Sequence, residues 1–569
     1  MTSTSPQAPA IDAWHEALSR VRALADVAPD PRMLVDDPRR AERLTLRGSR
    51  LTVDCTRHAI GEDGLAALGD LLAAADVAGA RDAMLRAEPV NATESRAAMH
   101  VQLRAAALTG ARPQAVVSGA LPAAPAAFAQ EAATTLARMG AIAEEIRAGK
   151  RLGATGEPIR AVVHVGIGGS GLGPELLVRA LAGFAHPDLA VRFVANVDPD
   201  ATRDGLAGLN PAQTLVVIAS KSWTTQETSV NAQSVFDWMR AAGLDGEALS
   251  AHRVAVTARA DLAAADGYPP EAILPFDASI GGRYSVWSAV GLPVAVAIGH
   301  DRFVDLLAGA HAMDAHFATA PWPRNLPMLL GALDIWNRLR GATTLGVVPY
   351  ASRLARLPAY LQQLVMESNG KGVTRQGEPA ELAAAPVVWG EPGTDAQHSF
   401  FQLLHQGLQA QPLELLAVLP SGTRDARGRD ALLLAHCIAQ SAALLRGRDA
   451  ATITADLVAD GMSPEAAAAA AVHRVHPGGR AHTLTTLDGL DAATLGELLA
   501  LFEHRTFVAA AIARINPFDQ FGVELGKRIA KGVERALAGD GDALAQLDAG
   551  QRALAKRIRE RLGDVPGGG

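Results

Sequence analysis

Cysteine and aromatic side chains are scarce in this 569-residue chain, and long apolar runs are missing. The two cysteines, Cys55 and Cys437, exclude a disulfide framework and show no metal-ligand spacing, which fits a reducing compartment. Aromatics make up only 4% of the residues, so alanine and leucine must fill most of the core. No stretch reaches the ~18 consecutive apolar residues of a membrane span. The Ala-rich run 466–472 is too short and follows Ser463-Pro464-Glu465, a helix-start signal. The opening MTSTSPQAPA has neither the basic nor the apolar region of a secretory leader. With 53 basic and 60 acidic residues and no long basic run, a nucleic-acid surface is not expected. A chain of net charge −7 must bind an anion through a local site rather than its overall field.

What is present reads as a globular chain of several domains, 49% hydrophobic and 20% charged. Residues 1 to about 120 look mainly helical, with LTVDC near Val53 a possible strand, and Met99, His100 and Leu103 on a helix. Phe128, Ala132, Leu136, Met139, Ile142 and Ile146 recur every three or four residues, which predicts a long amphipathic helix. From Ala161 the apolar runs AVVHVG, VRFVAN, TLVVIAS, RVAVT and AILPF follow in series, with helical stretches between the first four. This is the signature of βαβ units and a parallel sheet. A second alternation follows, with TTLGVV, PVVW and LELLAVL as strands and 354–368, 396–410 and 428–446 as helices. After Asp491 the chain is again mostly helical, and the terminal PGGG is expected to fray.

Six motifs carry chemistry. VGIGGSGLGP, 165–174, leaves a strand and opens a helix, so backbone N–H groups at a helix N-terminus can meet a phosphate and Ser170 can donate to it. In SKSWTTQET, 220–228, the side chains of Ser220, Lys221, Ser222, Thr225 and Thr228 can all donate, far more than a helix cap needs. Two such loops on successive βα units point to one compact anion, a sugar phosphate. GGRYSVW, 281–287, allows a close backbone approach before Arg283, a fixed positive charge. In LPAYLQQLVMESNGK, 357–371, Gln363 and Glu367 lie at i and i+4 on one helix face, and Gly370 is expected to stop the helix in a left-handed cap. WGEPGTDAQHSFFQLLHQG, 389–407, puts His398 at a helix start. Near the end, INPFDQFGVELGK, 515–527, places Gln520 and Lys527 on one face if the segment is helical.

Together these segments resemble the glucose-6-phosphate isomerase (phosphoglucose isomerase) family, in its order and spacing, from about residue 50 to 540. TESRAAMHVQLR, 93–104, adds to the likeness. The resemblance implies two αβα sandwich domains of the sugar-isomerase type with mainly parallel sheets, plus helical N- and C-terminal segments. The expected division is a helical segment 1–125 packing on the large domain, a smaller phosphate-binding domain 126–292, a large catalytic domain 293–540 and a helical tail 541–569. It implies reversible aldose–ketose isomerisation of glucose 6-phosphate and fructose 6-phosphate through a cis-enediolate, in glycolysis and gluconeogenesis. By the same resemblance Glu367 moves the proton between C1 and C2, and His398 and Lys527 assist ring opening. Arg283 stabilises the enediolate, and Gln363 and Gln520 line the sugar. Gly169, Ser170, Ser220, Lys221, Ser222, Thr225 and Thr228 hold the phosphate. No metal, no cofactor, no nucleic acid and no membrane is implied. The family is cytoplasmic and homodimeric, with His398 contributed across the interface.

The chain departs from the family pattern at Ser222 and Trp223 (usually Thr and Phe), at Asp395-Ala396, at Gly479 and Ala481 around Arg480, and at Ala513-Arg514. Two competing readings stand beside the isomerase. A nicotinamide-dependent oxidoreductase would use Gly166, Gly168 and Gly171 as G-x-G-x-x-G, but needs a carboxylate closing the next strand, where AVRFVAN ends in Asn196. A non-catalytic sugar-phosphate sensor could keep the loops, but has no need of Glu367, His398 and Lys527 together.

Overall fold

The computed structural model describes residues 11–422 and 425–562, so the opening MTSTSPQAP and the terminal PGGG lie outside the described residues. The chain forms two compact units, 1–517 and 518–569. The first holds two sheets. One is five-stranded and wholly parallel, in the order β4-β3-β5-β6-β7. Its strands are β3 (Ala161–Val165), β4 (Ala190–Val194), β5 (Thr214–Ala219), β6 (Arg253–Thr257) and β7 (Ile273–Pro275). Every residue of β3 and β5 is buried, as expected for strands covered on both faces. The order reverses between β3 and β5, because β4 lies on one side of them and β6 on the other. The loops leaving β3 and β5 therefore diverge and open a crevice at the strand ends, where open α/β sheets place ligands.

The other sheet has six strands in the order β1-β2-β11-β10-β8-β9. It contains β1 (Thr45–Arg47), β2 (Leu51–Asp54), β8 (Thr344–Tyr350), β9 (Val387–Trp389), β10 (Leu413–Val418) and β11 (His482–Leu487). Strands β8 to β11 run parallel, while the β1–β2 hairpin adds antiparallel at one side. The N-terminal stretch LTVDC is thus a strand of this sheet. Glu497 secures the hairpin turn by accepting from the Ser49 and Arg50 N–H groups, both at 2.7 Å.

The predicted long helix spans Ala126–Arg147 and buries Ala132, Leu136, Met139, Ile142 and Ile146. The helix Pro464–Ala471 begins where Ser463 accepts from the Ala466 N–H. Several expectations need correction. The helix expected at 396–410 is two short ones, Gly393–Gln397 and Phe401–Gln406, and β11 is a strand that the sequence reading did not name. The helix expected at 354–368 is α-helical only over Leu357–Leu361. Over Gln362–Glu367 it widens into a π turn.

The second unit contains the helices Glu524–Leu537, Gly541–Gln546 and Ala549–Leu562, which share a small core of Ala536, Ala543, Leu547 and Ala555. Among the described residues, no helix is long and apolar enough to cross a membrane.

Candidate active site

The crevice at the end of β3 is built by close backbone packing. Gly168 turns through φ +58°, and Gly169 lies against the GGRYSVW segment so tightly that a Cβ there would stand 2.1 Å from the Gly282 carbonyl oxygen. Only glycine fits such an approach. Below the loop, His164 is wholly buried and its Nε2 lies 2.6 Å from the Ser170 carbonyl oxygen. Burial pushes His164 down to about 4, so it is a neutral support that donates to the loop.

The neighbouring loop leaves β5. The Ser220 N–H is tied to the Val256 carbonyl, and the Lys221 carbonyl accepts from the Ala258 N–H. Ser220 Oγ lies 3.3 Å from Thr225 Oγ1, and Thr224 Oγ1 donates to Ser222 Oγ at 2.9 Å. Thr228 is buried, and its hydroxyl has no hydrogen-bond partner among the described residues. Such a group is costly unless a ligand or water completes it. Lys221 is lowered to about 8, first by burial and then by Arg96, with Arg283 adding to it against Glu94 and Asp277. This loop is therefore a cluster of donors beside crowded cations, suited to an anion. Trp223 takes φ +56°, unusual for a bulky residue, and its indole N–H donates to Asp266 at 2.7 Å.

Arg283 is buried on a short 3₁₀ turn, Gly282–Trp287. Its Nη2 donates to the Pro517 carbonyl and its Nε to Ser368 Oγ at 2.7 Å. Nη1 stands 3.5 Å from Glu367 Oε2, with the Glu367 side chain 20% exposed. The π turn leaves Gln363 and Glu367 on one side, since four residues still close roughly one turn. It brings Gln363 Nε2 within 3.2 Å of where a Gly168 Cβ would sit, so the amide reaches the glycine loop. Lys371 Nζ fastens the end of the segment by donating to the Glu367 and Ser368 carbonyls at 2.7 and 2.9 Å. Gly370 does not take the left-handed cap expected of it. A Cβ there would lie 2.4 Å from the Met366 carbonyl oxygen, so close approach is the reason for glycine.

The structure thus brings together Gly169, Arg283, Gln363 and Glu367, with the hydroxyl loop on the adjacent strand. His398 takes part in none of the contacts described above. It follows the short helix Gly393–Gln397 as its C-terminal cap rather than opening a helix, and its exposed ring makes no hydrogen bond among the described residues. Gln520 and Lys527 belong to the second unit. Gln520 precedes the 3₁₀ turn Phe521–Val523, and Lys527 lies in the first turn of Glu524–Leu537, so they do not share a helix as expected. Ala396 is fully buried in the core beside Val348 and Tyr350, so this departure from the family pattern fills space there. Sequence reasoning passed over Ser368, Tyr284 and Lys371. All three lie inside quoted motifs, next to or near residues already singled out.

A family model described as "Phosphoglucose isomerase" matches residues 54–555. A glucose-6-phosphate isomerase of Mesorhizobium japonicum is 42% identical over 528 residues, covering 93% of this chain and 94% of its own. "Glucose-6-phosphate isomerase 2" of Cupriavidus pinatubonensis is 45% identical over 501 residues, covering 88% and 89%. Among solved structures, a glucose-6-phosphate isomerase from Chlamydia trachomatis superposes with a TM-score of 0.79 at 29% identity, covering 96% of this chain and 99% of that one. A hypothetical protein from Thermus thermophilus shares the fold at a TM-score of 0.61 and 23% identity. With its two mainly parallel sheets, its glycine loop beside Arg283 and Glu367, and relatives matched along nearly its whole length, the chain belongs to the phosphoglucose isomerase family.

Proposed function

We infer that this protein interconverts D-glucose 6-phosphate and D-fructose 6-phosphate, a step of glycolysis and gluconeogenesis. The observation that carries this reading is the pairing of Glu367 with Arg283 at 3.5 Å, on the rim of a crevice whose other wall is a loop of hydroxyl donors. The phosphate is held by Gly169 and Ser170 from one loop and by Ser220, Lys221, Ser222, Thr225 and Thr228 from the other. That anchor fixes the sugar at one end and makes proton transfer at the other effectively intramolecular. Gln363 and Gln520 contact sugar hydroxyls. Glu367 takes the proton from the carbon beside the carbonyl and returns it to the neighbouring carbon. Charge develops on the enediolate oxygen during that transfer, and the buried Arg283 guanidinium offsets it. His398 and Lys527 serve ring opening, which needs a proton donor and an acceptor at the hemiacetal.

The working form in this reading is a cytoplasmic homodimer in which His398 reaches the site of the second copy. Residues 126–292 supply the phosphate loops, and residues 293–540 supply the base.

The test is a coupled assay supplying fructose 6-phosphate and detecting glucose 6-phosphate, run on wild type and Glu367→Gln. Wild type should turn over. The variant should lose at least ~10³-fold in kcat, the scale of a removed acid–base group, while still binding a sugar-phosphate inhibitor. Near wild-type turnover in Glu367→Gln would remove Glu367 from the mechanism.

A further inference from the structure

The base and the arginine are joined by a side chain that neither the family resemblance nor the motif reading assigns. Ser368 follows Glu367 directly and is wholly buried. Its Oγ accepts from Arg283 Nε at 2.7 Å and lies 3.1 Å from the Tyr284 hydroxyl. Tyr284 is also buried, and His100 stacks on its ring with 4.5 Å between centroids. The Tyr284 ring is thus fixed from the helix His100–Ala111, and the Ser368 hydroxyl is fixed by Tyr284.

A guanidinium can rotate about its long stem unless its nitrogens are held. In this site Nη2 donates to the Pro517 carbonyl and Nε to Ser368 Oγ, and both bonds bear on how Nη1 faces Glu367. Backbone position fixes the first bond. The second depends on a hydroxyl that a single substitution can remove.

We propose that Ser368 is a positioning residue that aims Arg283 at the developing enediolate, and that Tyr284 holds the Ser368 hydroxyl for that purpose. The proposal rests on the isomerase reading above. Without the hydroxyl, Arg283 Nε is left buried with its acceptor gone, and the guanidinium can turn toward Glu367. A tighter Arg283–Glu367 pair would keep the cation from the enediolate oxygen and leave the base less able to take a proton. The phosphate loops are not involved, so substrate capture should persist.

The experiment compares wild type, Ser368→Ala, Ser368→Thr and Tyr284→Phe in the coupled assay, across pH and with thermal unfolding in parallel. Ser368→Ala should lower kcat ~10- to 100-fold with KM within ~2-fold, the signature of an interaction made mainly in the transition state. Its kcat/KM profile should move at the acid limb to lower pH, because a closer cation favours the ionised base. Ser368→Thr should recover most of the loss, and Tyr284→Phe should lose ~3- to 10-fold in kcat with the same sparing of KM. If Ser368→Ala does not fold, Ser368→Cys, which keeps the volume but offers a far weaker acceptor, carries the test with the same expected kcat loss and spared KM. Wild-type kcat in both Ser368→Ala and Tyr284→Phe would overturn the proposal while leaving the isomerase reading intact. So would losses that follow thermal stability with no KM-against-kcat split and no shift in pH profile. A wild-type protein without turnover would instead overturn the isomerase reading, and this proposal with it.

Discussion

Arg104 and Arg283 are both buried against carboxylates, yet the two pairs are held to opposite degrees. Arg104 donates to both oxygens of Asp314, at 2.9 and 2.5 Å, and to Glu503 at 2.6 Å, with all three side chains closed to solvent. His504 Nε2 lies 2.7 Å from Asp314, and the Trp287 indole donates to Glu503 at 2.8 Å. Burial alone would favour a neutral Arg104, but Asp314 and Glu503 outweigh it and hold the guanidinium charged. Burial likewise opposes the Asp314 charge, and Arg104 with His504 keeps that carboxyl below its usual range. Glu503 goes the other way. Burial pushes it up to about 7, with Arg104 and Trp287 only partly opposing. The Arg283–Glu367 pair, in contrast, is a single approach at 3.5 Å with its carboxylate partly exposed. A buried carboxylate held by several donors is part of the frame, whereas one approached by the arginine at a single point and open to solvent on one side stays within reach of a ligand. The two clusters are linked through the Gly282–Trp287 turn, which carries Arg283 at one end and the Glu503-bound Trp287 at the other.

Breaking the structural pair should give the largest effect. Arg104→Met leaves Asp314 and Glu503 buried without their cation and should cost ~3–5 kcal/mol of stability, read by denaturant unfolding. Molecules that still fold should keep the wild-type KM. Breaking the working pair should do the reverse. Arg283→Gln should reduce kcat ~10²- to 10³-fold, the scale of a lost transition-state donor, with a much smaller change in unfolding midpoint. If Arg283→Gln destabilised as much as Arg104→Met, the division between the two pairs would be wrong.

The support beneath the glycine loop gives a pH test. His164 has a folded value of about 4 against 6.5 in the unfolded chain. The unfolded state therefore binds more protons between those values, and stability is lost as pH falls from 6.5 toward 4. The two values differ by an amount equivalent to roughly 3 kcal/mol. Unfolding of His164→Phe at pH 7 and pH 5 should show a shallower decline than wild type, and an equal slope would remove His164 from that role. The smallest effect is expected at the outer fastening of the hydroxyl loop. Trp223→Phe keeps the ring against Tyr268 but removes the bond to Asp266, worth ~1 kcal/mol, and should raise KM several-fold at constant kcat.

The parallel strands of the first sheet were legible because β3, β5 and β6 are short apolar runs, and the glycine and hydroxyl loops follow two of them directly. Strand β11 was not, since HTLTTL alternates polar residues that look solvated. In the fold His482 bonds to Ser441 at 2.8 Å and Thr483 to His58 at 3.0 Å, so its polarity is satisfied inside. Glu367 and Arg283 could be singled out from motifs, but the side chains that touch Arg283 could not. Ser368 beside Glu367 reads as an ordinary helix-end residue, and its partners Arg283 and Tyr284 lie 85 and 84 residues away. The Arg104 cluster joins residues 210 and 399 apart, a separation no local pattern records.

The widened turn at Gln362–Glu367 has a consequence for how this enzyme can vary. Removing one residue from that turn would close it into an α-helix and reset which side chains between Leu361 and Glu367 face the glycine loop. Gln363 and Glu367 would then lose the spacing that the wider turn gives them. Between Leu361 and Glu367 the spacing matters more than the side chains. Substitutions at the exposed Gln362 or Met366 should be tolerated where a one-residue deletion is lethal to turnover. Chain length at this point is itself part of the active site.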